Sequence, residues 1–98
     1  MSELGRTLLI EVVEVQGQCP VYHVGDYFHI QDGYKLAADH LVCMHALQSV
    51  CPYYVPLSRG ISPADLGLAG ADGAAYVHCL DPRGYTGGGT VTFRVTQA

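Results

Sequence analysis

The sequence predicts an α+β fold: a small, mostly antiparallel sheet of about four strands packed against one main helix, with a glycine-rich hairpin loop. Three observations carry that expectation. Four short β-rich runs, residues 7–15, 27–30, 76–80 and 90–96, are bounded by Gly, Pro and Asp, the residues that punctuate strands. A single stretch, residues 39–50, places apolar side chains at helical rather than alternating spacing. The whole chain is 98 residues long, enough for one core, so residues 1–98 form a single domain.

Each element has a local reason. Residues 7–15 (TLLIEVVEV) are β-branched and partly alternating, and Gly17-Gln18-Cys19-Pro20 ends them. Val24-Gly25-Asp26 turns into Tyr27-Phe28-His29-Ile30, a second strand, and Asp32-Gly33 is a turn signal that links or ends strands. From Asp39 the pattern becomes helical: Asp39 is an N-cap residue type, and Leu36, His40, Cys43, Leu47 and Val50 recur at helical spacing. Pro52 and Pro56 interrupt, so residues 53–57 form a separate short segment ending at Arg59-Gly60. Ser62-Pro63 resembles a helix start, with Ser62 as cap and Pro63 at the first position. Residues 76–80 (YVHCL) read as a third strand. Asp81-Pro82-Arg83-Gly84 through Gly89 is a flexible connection, and residues 90–96 (TVTFRVT) alternate cleanly as the fourth strand.

Composition narrows the function classes. Apolar residues make up 49% of the chain and charged residues 14%, with a net charge of −4. That surplus of apolar surface is expected to be covered by a partner protein or a second copy, with a homodimer as the expected form and a Tyr- and Ala-rich monomer of merely mild surface as the alternative. The five bases, Arg6, Lys35, Arg59, Arg83 and Arg94, are scattered and make no basic stripe, which argues against nucleic acid. The longest apolar run is far short of the roughly 18–20 residues a membrane span needs. Met1-Ser2-Glu3 offers neither a basic n-region nor an apolar h-region, so a cytoplasmic location is expected.

In that setting the four cysteines, Cys19, Cys43, Cys51 and Cys79, are expected as reduced thiols rather than disulfides. No two share the short two-to-four-residue knuckle of zinc ribbons, so any shared site must come from tertiary convergence. Buried core thiols are the plain alternative. The Gly84–Gly89 segment (GYTGGG) lacks the Lys-Ser/Thr of a phosphate loop and leads into a strand. Asp26 and Asp81 are read as turn residues, and most of the seven tyrosines as packing at the sheet rim with wet hydroxyls, an aromatic pocket or an interface being the alternative.

Three segments in order carry a resemblance: Cys19-Pro20 with Val24-Gly25-Asp26-Tyr27-Phe28, then Leu41-Val42-Cys43 leading to Pro52, Leu57 and Gly60, then Val77-His78-Cys79-Leu80-Asp81 with Val91-Thr92-Phe93. Over nearly its whole length the chain resembles a conserved hypothetical family of similarly short, uncharacterised bacterial and archaeal proteins. The resemblance implies a cysteine cluster of three matched residues, Cys19, Cys43 and Cys79, without implying a reaction. Cys51 departs from that pattern. His23 stands where the family often carries Lys or His.

On the predicted elements Cys19 follows the first strand, Cys43 opens the helix and Cys79 ends the third strand, positions that can meet at one sheet edge. A thiolate at a helix start is favoured by the helix dipole. Three thiolates in one place repel unless a cation neutralises them, so a metal is the expected occupant. Zinc is favoured and an iron–sulfur cluster is the alternative. The metal candidates are Cys19, Cys43 and Cys79, with Cys51 or His23 as a fourth. His23 lies four residues past Cys19; Cys51 is over two helical turns from Cys43, and His45 lies on nearly the opposite side of the helix. An open coordination position would make a small enzyme acting on a small-molecule substrate. The other readings are a metal-free thiol protein, with Cys43 as nucleophile and Cys19 or Cys79 resolving it, and a non-catalytic accessory subunit of a larger enzyme.

Overall fold

A computed structural model describes residues 5–98; the Met1-Ser2-Glu3 opening, on which the expectation of no leader rests, lies outside them. The architecture is α+β, built on an antiparallel sheet of five strands rather than four. The strands are β1 (Leu8–Gly17), β2 (Tyr27–Gln31), β3 (Lys35–Ala37), β4 (Ala75–His78) and β5 (Gly89–Gln97), in the order β3-β2-β1-β5-β4. In place of one main helix there are, among the described residues, three short ones: α1 (Met44–Val50), α2 (Tyr54–Ser58) and α3 (Arg83–Thr86), with a 3-10 turn at Pro63–Leu66. None is long and apolar enough to cross a membrane.

β1 and β5 form the spine, paired along their whole length. In β5 the period-2 pattern is strict: Val91, Phe93 and Val95 are buried and the threonines and Arg94 between them are not. β1 is less regular because Val13 bulges between Val12↔Phe93 and Glu14↔Thr92. One extra residue rephases the strand, so Leu8, Ile10 and Val12 point inward before the bulge and Val15, opposite Val91, does so after it. The inner face is completed by Phe28, Ile30, Ala75 and Val77, and is covered by Ala46 and Val50 of α1 and Leu57 of α2. Phe28 and Phe93 meet edge to face. Each such side chain contributes about 1.5–3 kcal/mol by leaving water.

The outer face is polar. Glu11, Arg94 and Tyr76 lie in one cross-strand row, and Arg94 bonds both Glu11 (3.2 Å) and Asp72 (2.9 Å). The free edge of β4 is covered by the 68–70 segment, through Tyr76 N–H to the Leu68 carbonyl and an Ala69↔Ala75 bridge. Such cover blunts edge-to-edge association.

Two expectations need correcting. The first is β3, where Asp32 (φ 56°) and Gly33 (φ 85°) turn the chain left-handedly and return three residues against β2. Leu36 therefore belongs to a strand, not to a helical stripe. The second is the helix start, at Met44 instead of Asp39. A helix begun at Asp39 would need the Cys43 amide to bond the Asp39 carbonyl; the amide instead donates to the Tyr22 hydroxyl at 3.1 Å. The first helical bond runs from Leu47 N–H to the Cys43 carbonyl, which leaves Cys43 as N-cap in extended conformation. Elsewhere Ser62 caps the 3-10 turn through the Ala64 amide, as its sequence predicts. The glycine-rich connection holds one helical turn, α3, closed by Gly87 at φ 75°.

Candidate functional site

The first cysteine is placed by the end of the spine. β1 and β5 close at Gly17↔Gly89, and the chain leaves through Gln18-Cys19-Pro20. Gly89 is obligatory at that crossing: a Cβ there would stand 2.7 Å from the Gln18 carbonyl carbon and 2.8 Å from the Cys19 nitrogen, closer than unbonded atoms come. The Cys19 loop then turns back, and the Tyr22 amide donates to Cys19 Sγ at 3.4 Å.

Cys79 leaves β4 beside the same end of β5. Its amide donates to the Val91 carbonyl, its Sγ accepts from the Val91 amide at 3.3 Å, and its thiol donates to the Gly89 carbonyl at 3.5 Å. It is buried. Cys43 arrives from the third side through Tyr22. That phenol is only 2% exposed, its ring packs edge-on against Phe93 at 5.4 Å, and its hydroxyl receives the Cys43 amide. Burial pushes the Tyr22 hydroxyl above the ordinary phenol value, with the Cys43 amide opposing. Tyr22 is an exception to the expectation that most tyrosines sit at the rim with wet hydroxyls.

Cys19, Cys43 and Cys79 thus line one pocket of about 160 Å³, with Tyr22, His45, Asp81, Gly89 and apolar Val21, Ala46 and Val91 also in its wall. Sites for drug-sized ligands start at roughly 300 Å³, so this one suits an ion or a very small molecule. Among the described residues no group of three or more His, Cys, Asp or Glu side chains stands close enough to hold a metal ion. A larger hollow of about 310 Å³ beside Leu57 and Ile61 includes Arg94 and Asp72, which are bonded to each other.

The other candidates lie elsewhere. Cys51 is exposed and lines a separate apolar hollow with Ile30, Tyr34, Leu36, Leu47, Val50 and Tyr54. His23 is 85% exposed in the turn after Tyr22, 3.9 Å from Asp26, and is absent from the pocket wall. His45, placed opposite Cys43 on the assumption that both are helical, lines the pocket with it because Cys43 precedes the helix. Asp81, read as a turn residue, is one: its carboxylate accepts from the Thr86 hydroxyl and its carbonyl from Thr90. It also reaches the pocket. Nothing in the sequence separates Tyr22 from the other six tyrosines, and the roles of His45 and Gly89 depend on chain crossings that no local pattern announces.

No protein-family model, curated protein or solved structure matches this chain.

Proposed function

We propose that the chain is a small cytoplasmic metal-binding protein whose donors are Cys19, Cys43 and Cys79, with zinc as favoured occupant and an iron–sulfur cluster as the alternative. The observation that carries this reading is the gathering of three thiols, from three segments far apart in the sequence, around one pocket of ion-compatible size. The resemblance to a family with three matched cysteines selects the same trio. Soft thiolates suit both occupants, and backbone amides already donate to two of the three sulfurs, an arrangement that stabilises sulfur anions and orients metal ligands.

Uptake requires the sulfurs to close on the ion, and His45 or Asp81 is nearer to completing the shell than His23 or Cys51. If the fourth position stays with water, the metal lowers that water's pKa and supplies a nucleophile or Lewis acid for a small substrate. Val24, Leu41, Met44, Leu80 and Tyr85 are exposed and flank the pocket-forming segments in sequence, so a second copy or a larger enzyme would dock there.

One observation favours a second reading, the metal-free thiol protein. Cys79 is buried, and its Sγ is already engaged by the Gly89 carbonyl and the Val91 amide, as suits a thiol packed in the core without a metal. Metal and acid-labile sulfide per chain, measured on anaerobically purified protein beside Cys43→Ser, separate the two. Stoichiometric zinc lost in the variant supports the zinc site, and iron with sulfide the cluster. No metal in the wild-type protein overturns the metal reading and leaves the thiol one.

A further inference from the structure

His40 stands on the segment between β3 and α1 with each ring nitrogen at a backbone carbonyl: Nδ1 is 2.8 Å from the Leu41 oxygen and Nε2 is 3.0 Å from the Tyr27 oxygen. Carbonyl oxygens only accept. A neutral imidazole carries one N–H and one bare lone pair, whereas the imidazolium carries two N–H groups. Both contacts are therefore hydrogen bonds only when His40 is protonated. In the neutral ring one of them sets a lone pair against a lone pair.

The ring is also coupled to the cysteine pocket. Its edge lies against Tyr22, 6.1 Å between centroids, and Tyr22 holds the Cys43 amide. The Tyr27 carbonyl belongs to β2, so the Nε2 contact ties the 38–43 segment to the sheet. We infer that His40 is a proton-operated clasp on the segment that carries Cys43, closed as the imidazolium and released when the ring becomes neutral.

The surroundings favour the closed form. The carbonyl of Leu41, then that of Tyr27, holds the His40 ring above the ordinary histidine value of 6.5, with a smaller contribution from the carboxylates of Asp26 and Asp39. The phenol of Tyr22, against which the ring packs, is pushed above the ordinary phenol value by burial and stays neutral through this range. A raised folded-state pKa stabilises the clasped form fully below the unfolded value of 6.5, and that contribution fades as pH climbs through the folded value. Rising pH thus frees the Cys43 side of the pocket. The clasp's weight in function rests on reading that pocket as the site; the clasp itself does not depend on a metal.

The test uses metal-free, reduced protein. Pulsed alkylation with iodoacetamide is read by mass spectrometry at Cys43 and at Cys51, whose exposed thiol in a separate hollow corrects for the general rise of thiolate with pH. The Cys43-to-Cys51 rate ratio is expected to step up about threefold across the histidine range, the scale of one weak exposed hydrogen bond. In His40→Phe, which keeps the ring contact with Tyr22, the ratio should be high and flat. Carbonyl carbon shifts of Tyr27 and Leu41 should follow the His40 ring titration in NMR spectra. A flat wild-type ratio, a step that survives in His40→Phe, or carbonyl shifts that ignore the ring overturns the clasp. Because every reading is taken without metal, failure of the metal proposal leaves it standing and its own failure leaves the metal proposal untouched.

Discussion

Tyr22 joins the core to the site with a single oxygen. Its ring is buried against Phe93, and its hydroxyl terminates α1 by taking an amide that would otherwise extend the helix backward. Tyr22→Phe keeps the ring and removes the acceptor, leaving the partly buried Cys43 N–H unpaired. The expected loss is about 1–2 kcal/mol, read as a lower urea midpoint at unchanged slope, with faster hydrogen exchange at the Cys43 amide. Unaltered exchange there would show that the hydroxyl does not set the helix start. This same bond explains what the sequence could not convey about the helix. Leu36, His40, Cys43, Leu47 and Val50 keep helical spacing, but only the last two act on it, because Tyr22 captures the Cys43 amide and β2 captures residues 35–37. The three cysteines were legible as element ends. Tyr22, His45 and Asp81 were not, since chain crossings alone bring them together.

At the scale of elements, the contrast between β5 and β1 shows what alternation reveals. Val91, Phe93 and Val95 declare their face at every second position, whereas the Val13 bulge shifts the phase of β1 midway and blurs its pattern. β3 is three residues long, too short for any period to show. The outer-face row that joins β1, β5 and β4 yields a pH prediction. Arg94, with the Tyr76 hydroxyl and the Ala74 amide, holds the Asp72 carboxyl down at about 2 against an ordinary 3.8. Because the folded value is the lower one, the contribution is complete above the unfolded value and is lost as pH falls through the folded one. Wild type should therefore exceed Asp72→Asn in stability at neutral pH, with the gap closing between about pH 4 and 2; a gap independent of pH would assign Asp72 a purely structural part. At the spine's end, Gly89→Ala drives a methyl into the Gln18–Cys19 backbone. A cost of about 1–3 kcal/mol is expected, and the proposed site would hold an ion less well, since Cys19 and Cys79 flank this crossing and line one pocket. Retention at wild-type strength in a folded Gly89→Ala protein would mean that the crossing does not position the donors.

For the whole molecule, the candidate site gathers three distant segments of the chain around one pocket. The helices α1 and α2 cover the inner face of the sheet, Cys79 belongs to that core, and Cys19 and Cys43 pack against it partly buried. A bound ion would tie those three segments together, and an ion that binds only the folded chain adds its binding free energy to global stability. At a hundredfold excess over the dissociation constant that is about 2.7 kcal/mol, which in a domain of this size raises the thermal midpoint by about 10–20 °C. Zinc added to reduced, chelator-treated protein should thus raise the midpoint of the wild type and leave Cys43→Ser unmoved. Cys43 is the informative position because its Sγ is not used as a helix cap, so serine there should fold normally, whereas Cys79→Ser would also disturb the buried bonds to Gly89 and Val91. Cys51→Ser should respond to zinc as the wild type does, because Cys51 opens on a different hollow. A rise in the wild type that Cys51→Ser abolishes and Cys43→Ser keeps would move the site away from the three-cysteine pocket altogether. No rise in any of the three would place the convergence of these thiols with core packing and thiol chemistry instead.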